Sequence, residues 1–208
     1  RQPNVLSLGD EAMASDVSIE STINPVVAEF EGGQRLKAYP PPAAGSGVTV
    51  ATGIDLGQRS VAELKDLGLD DSLIKKVTPY LGLKDTEAKA SLKLKPLSLT
   101  KPEADALDTA VGGQIIASVA AQFKKDSGGI EFSSLPDDAR TVVESLAYNL
   151  GPELPRKLPT IWKLIIDDDW AGVQKALRET KWKQPELVDR RNKEASLLSD
   201  LIQRKGYA

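Results

Sequence analysis

The feature that most constrains this chain is a change of hydrophobic period at Gly32-Gly33. Before it, Ile23, Val26, Val27 and Phe30 recur on one helix face, with Pro25 in the first turn, where a missing N–H is harmless. After it, Pro40-Pro41-Pro42 and Gly45-Ser46-Gly47 punctuate a loop, and the β-branched run Val48-Thr49-Val50 follows. Arg35 to Leu56 therefore reads as a loop feeding a short hairpin or small sheet. From Ser60 onward the helical pattern returns. The predicted architecture is α+β, a small β-containing lobe near the front and a larger helical lobe behind it.

Within the helical part, Ser60 with Glu63 and Thr100 with Glu103 each form an S/T-x-x-E capping signal. Ala104 to Lys125 predicts a long helix, interrupted or bent at Gly112-Gly113. A further helix, capped by Asp137 or Asp138, runs through Asn149 and stops at Gly151; three more cover Thr160–Ile166, Asp169–Thr180 and Glu186–Arg204. Residues 1–18 lack periodicity and read as an arm or linker ahead of one domain, 19–208. That domain divides into a β lobe (19–60), connecting helices (61–130) and a helical C-lobe (131–208). The chain opens with Arg1 and shows no basic-then-apolar leader, which reads as a fragment of a longer polypeptide or a processed form; the expected state is a monomer, as a domain of a larger protein. No run of about 18 apolar residues occurs, so no membrane-spanning helix is expected.

The chain contains no Cys and no His. That removes thiol nucleophiles, Ser–His dyads and Cys/His zinc sites, and neither metal nor cofactor is expected. Acid–base chemistry must then rest on carboxylates, with Lys or Tyr ranked behind them. A net charge of −3 carries no general nucleic-acid signal. A glycosidase fits these limits, since it needs only a proton donor and a second carboxylate that attacks or activates water. The donor's pKa has to be raised, which apolar packing achieves by penalising the charged form. Glu31 is placed for that role, directly after the amphipathic helix and before the two glycines.

The run Ala28-Glu29-Phe30-Glu31-Gly32-Gly33-Gln34-Arg35-Leu36-Lys37-Ala38-Tyr39 resembles the "FEG-x-RLKAY" opening of phage lysozymes, with one extra residue before Arg35. The strand Thr49-Val50-Ala51-Thr52-Gly53 is similar to their T-x-G-x-G, with Ala51 at the first glycine. The ending Gly53-Ile54-Asp55-Leu56-Gly57-Gln58 is closer to the pesticin-like branch, found in bacteriocins and secreted antibacterial effectors. The resemblance implies a lysozyme-like fold with a cleft between the lobes. It also implies cleavage of the β-1,4 bond between N-acetylmuramic acid and N-acetylglucosamine. The branch's catalytic Glu, Thr and Asp fall on Glu31, Thr49 and Asp55. Residues 40–48 hold no acid, so Asp55 is the nearby candidate for the second carboxylate; its bland reading is a turn residue capping backbone N–H groups. Thr49 would position water, or simply be a strand former.

Glu29 is the rival proton donor: on a helix it lies about 200° from Glu31, so the two cannot face one cleft. Leu146-Ala147-Tyr148-Asn149-Leu150-Gly151, and the stretch from Trp170 through Trp182 to Ala195, resemble the back half of the family. By that resemblance Tyr39, Asn149, Arg190 and Arg191 are expected to contact substrate, with the arginines alternatively buttressing the C-lobe; Trp170 and Trp182 are read as core. Expected partners are peptidoglycan glycan strands and, by the same resemblance, a cognate immunity protein, with no nucleic acid. The site of action would be the periplasm of a target bacterium, reached by secretion or delivery. Ala51 and the missing loop acid leave one alternative open, a wall-binding or partner-docking module without catalysis; a second is lytic transglycosylation on the same fold, for which a single Glu suffices and against which Asp55 weighs.

Overall fold

The computed structural model describes residues 23–41, 44–182 and 184–206, so the predicted arm at 1–18 lies outside the described residues. Helix α1 (Pro25–Phe30) is capped by Asn24, whose side chain accepts from the Val26 N–H, and buries Val27. It ends at Glu31. Gly32 and Gly33 follow at φ +83° and +78°, left-handed conformations that a side chain would strain, and they turn the chain into the sheet.

The sheet has three antiparallel strands in the order β1 (Arg35–Tyr39), β2 (Thr49–Ala51), β3 (Ile54–Asp55). Tyr39 pairs with Thr49, and Thr49 with Asp55, so these three side chains stand in a row across one face. A 3-10 turn, Leu56–Gln58, leaves β3. Beyond β1, residues 97–99 lie alongside it: Ala38 N–H donates to Leu97 O at 3.0 Å and Leu99 N–H to Leu36 O at 2.8 Å.

Helices α2 (Val61–Asp66), α3 (Asp71–Val77) and α4 (Asp85–Leu94) complete the front lobe. Thr100 and Glu103 make the predicted reciprocal capping box at the start of α5 (Lys101–Leu107). The Ser60 signal is only half realised: Ser60 caps the Glu63 N–H at 3.2 Å, but the Glu63 carboxylate turns away to pair with Arg59 at 2.7 Å. The predicted bend at Gly112-Gly113 is a π-helical turn, Asp108–Gly112, which joins α5 to α6 (Gly113–Asp126) without a break. Gly112 is needed there because a Cβ would come within 2.0 Å of the Tyr148 hydroxyl.

The C-lobe comprises α7 (Asp137–Leu150), α8 (Leu154–Lys157), α9 (Pro159–Ile166), α10 (Trp170–Glu179), α11 (Pro185–Leu197) and α12 (Ser199–Lys205). Asp137 and Asp138 occupy the first turn of α7 rather than its cap, which falls on Pro136. The single helix predicted for 186–204 is two, divided at Leu198, whose N–H donates to Ala195 O at 3.2 Å. That three-residue closure keeps Ala195, Leu198 and Leu201, spaced by three, all in the core. Trp170 is fully buried, and the partly buried Trp182 donates to Leu177 O at 2.9 Å, both serving the C-lobe interior. The result is the α+β arrangement, with one continuous apolar core running from Val48, Val50 and Leu56 under the sheet to Leu146, Leu177 and Leu198.

Candidate active site

A cleft of about 810 Å³ lies where the two lobes meet. Its walls come from Glu31, from Gly53 to Asp55 with Gln58, Arg59 and Glu63, from Gln114, Ile115 and Ser118 of α6, and from the α7–α8 junction with Tyr148 and Asn149. Glu31 enters it as the residue that ends α1. Glu29, on the same short helix, is exposed and lines a separate surface groove with Val26, Phe30 and residues of α11. The turn Gly53 packs so closely under Glu31 that a Cβ there would lie 2.9 Å from Oε2.

Glu31 Oε1 is 2.7 Å from Arg190 Nη1. This is an ion pair without an aligned hydrogen bond: among the described residues Oε1 has no hydrogen-bond partner. Arg190 is held from behind, donating from Nε to Glu194 Oε1 at 3.2 Å and from Nη2 to Ser145 O at 3.0 Å. The fully buried Glu194 also accepts from Ser145 Oγ at 2.6 Å and from Arg191 Nη1 at 2.6 and 2.5 Å. Arg191 completes the relay by donating to Asn149 Oδ1 on the cleft lip. Charges alternate along this path, which is the condition for keeping several ions out of water. Arg191 has no exposed surface and is not among the residues lining the cleft.

Asp55 lines the cleft, yet its Oδ1 accepts from Gly47 N–H at 2.9 Å and Gly57 N–H at 2.8 Å, the capping use that its bland reading described. Both bonds fall on the same oxygen. The two glycines are there for space: a Cβ on Gly57 would sit 2.4 Å from Leu83 O and 2.7 Å from Gly47 Cα. Thr49 is 4% exposed and lies between its register partners Tyr39 and Asp55, its Oγ1 reaching Gly47 O at a long 3.4 Å. The Tyr39 hydroxyl engages the Thr49 side chain. Burial raises the Tyr39 pKa, the Arg35 guanidinium 4.7 Å over its ring works the other way, and Glu31 and Asp55 add to the rise. Tyr39 thus stays a neutral phenol beside both carboxylates.

Two residues at or behind the site have no role predicted from the sequence, although Tyr148 falls within the Leu146–Gly151 run. Tyr148 lines the cleft, and its hydroxyl is buried without a hydrogen-bond partner among the described residues. Burial first, then the charges of Asp108 and Glu31, push its pKa up. Asp108 is fully buried. Helical spacing offered a hint there, because Asp105 and Asp108 fall in the stripe otherwise filled by Ala104, Leu107 and Val111. Among the described residues, no group of three or more carboxylates is placed to hold a metal ion.

A family model described as "Pesticin: Bacterial toxin homologue of phage lysozyme, C-term" matches residues 23–171. The match spans Glu31, Thr49, Asp55 and Asn149; Arg190 and Arg191 lie beyond it. No curated protein matches the chain.

Proposed function

The chain belongs to the pesticin family of bacterial toxin homologues of phage lysozyme, and from that footing we propose that it is a muramidase. Its substrate is the peptidoglycan glycan strand, and the bond cut is the β-1,4 link between N-acetylmuramic acid and N-acetylglucosamine. The observation that carries the reading is Glu31 standing in the inter-lobe cleft with Asp55 on the facing hairpin. Glu31 donates the proton to the leaving oxygen. Asp55, with Thr49 beside it in register, activates and orients water. A water held by a Thr and an Asp implies room between the carboxyls and hence inversion at the anomeric carbon. Asn149 on the cleft lip contacts sugar, while Tyr39 and Arg190 fix the Thr49 and Glu31 side chains. The protein acts as a monomeric antibacterial toxin domain in the periplasm of a target cell, with an immunity protein as its natural antagonist.

One observation favours a second reading. Asp55 Oδ1 is committed to two backbone N–H groups, so Asp55 could be purely structural, leaving Glu31 to perform transglycosylation alone. Digestion of purified peptidoglycan by wild type, Glu31→Gln and Glu29→Gln, read by mass spectrometry, separates the cases. Reducing muramic ends, lost only in Glu31→Gln, support the muramidase. Anhydro-muramic ends move the assignment to transglycosylation, and no release from wild type sinks the enzymatic reading.

A further inference from the structure

Asp108 sits at the start of the π turn, fully buried, and among the described residues the hydrogen bonds to its carboxylate come from the β-lobe side of the cleft. Its Oδ1 accepts from the Thr52 N–H at 2.9 Å, and its Oδ2 from the Thr52 hydroxyl at 2.8 Å. Oδ2 also accepts from Gln34 Nε2 at 2.8 Å. The same Gln34 nitrogen reaches Asp105 Oδ1 at 2.8 Å, and Asp105 is in turn held by Lys101.

Gln34 and Thr52 have related places in the chain. Gln34 is three residues after Glu31, at the end of the Gly32-Gly33 turn; Thr52 is three residues before Asp55, at the tip of the β2–β3 hairpin. One buried carboxylate therefore grips both backbone segments that present the two carboxylates to the cleft. Gln34 also falls where the run from Glu31 to Arg35 is a residue longer than the phage-type opening.

We infer that Asp108 is a positioning residue, a clamp that sets the distance and aim of Glu31 relative to Asp55. This rests on the muramidase reading for its catalytic meaning, while the clamp itself is testable without it. The physical need is evident from the local chain. Glu31 leaves a helix of only six residues through two glycines, and the hairpin tip turns on Ala51 and Gly53, both at positive φ. Neither segment is rigid by itself, and misplacement of reacting groups by about 1 Å can cost on the order of a hundredfold in rate.

The test uses Asp108→Asn, which keeps the shape but replaces one accepting oxygen by an amide NH2 that faces a donor in either orientation, together with the milder Thr52→Val and Gln34→Met. Turnover of soluble peptidoglycan fragments is expected to fall about tenfold to a hundredfold in Asp108→Asn, with KM within about twofold of wild type. The two partner variants should fall less, and the Thr52→Val/Gln34→Met pair should not exceed Asp108→Asn. A folded Asp108→Asn with wild-type kcat overturns the inference. Should Asp108→Asn fail to fold, wild-type kcat in both partner variants overturns it equally. Amide exchange at Thr52, followed by NMR, reads the clamp independently of catalysis: it should accelerate at least tenfold in folded Asp108→Asn or, failing that, in Gln34→Met. If wild type cleaves nothing, the muramidase reading falls, and unchanged Thr52 exchange would overturn the clamp as well.

Discussion

Arg190 Nη1 stands 2.7 Å from Glu31 Oε1, so the last third of the chain holds the carboxylate that ends its first helix. Arg190 is one-tenth exposed and bonds Glu194, which has no exposure at all. Removing one partner of a buried ion pair typically costs about 3–5 kcal/mol. Glu194 keeps Arg191 and Ser145, so the low end applies. Arg190→Ala should lose about 3 kcal/mol in urea denaturation. Arg190→Lys should recover less than half of that, because an ammonium cannot span Glu31, Glu194 and Ser145 O together. A loss well under about 1 kcal/mol in Arg190→Ala would mean the network is not cohesive.

The Asp55 cap depends on two glycines touching. Gly57→Ala would drive a methyl to 2.4 Å from the Leu83 carbonyl. Overpacking of this kind costs about 1–3 kcal/mol, and a melting temperature lowered by roughly 2–12 °C is expected. Gly113→Ala is the matched control, since a Cβ there meets nothing within 4 Å and Gly113 sits at the start of α6. Calorimetry should find it neutral or slightly stabilised. Equal melting of the two variants would contradict the packing argument.

Ala51 stands at φ +54° with no exposed surface, where the phage-type strand has glycine. Replacing it by Gly relieves about 1–2 kcal/mol of left-handed strain. The change also gives back about 0.5–1 kcal/mol in unfolded-state entropy and about 0.8 kcal/mol in buried methyl. Ala51→Gly should therefore fall within about 1 kcal/mol of wild type, whereas the β-branched Ala51→Val should lose more than about 2 kcal/mol. Denaturant titration of both decides it; a stable Ala51→Val would show the hairpin tip to be more adaptable than its burial implies.

Burial raises the pKa of Asp108 above 3.8, the hydrogen bonds from Gln34 and Thr52 oppose this, and the charge of Asp105 reinforces it. Because the folded value exceeds the unfolded one, the fold disfavours the ionised form. The contribution of Asp108 to stability therefore falls as pH rises from 3.8 towards that higher value, then levels off. Asp108→Asn cannot titrate, so its stability deficit relative to wild type should shrink as pH rises through that window. Paired urea titrations from acid to neutral pH check the sign; a deficit that grows with pH would reverse it.

Much of the local structure was legible along the chain. The period break at Gly32-Gly33, the Thr100–Glu103 cap and the α+β order all depend on residues within a few positions of one another. The motif also singled out Gly53, Asp55 and Gly57, and tertiary packing explains them: one fits under Glu31, one caps the 3-10 turn, and one touches Gly47. Periodicity could not choose between Glu29 and Glu31 as the cleft-facing side chain, since both flank the same apolar stripe. That was decided by α1 packing on α7, which turns Glu29 to an outer groove and Glu31 inward. Asp108 holding Gln34 and Thr52, and Arg190 meeting Glu31, were likewise beyond reach of the sequence. A helical or strand pattern says which residues share a face, but which faces meet is settled only when the whole core closes. Buried charges then find partners wherever that closure brings them.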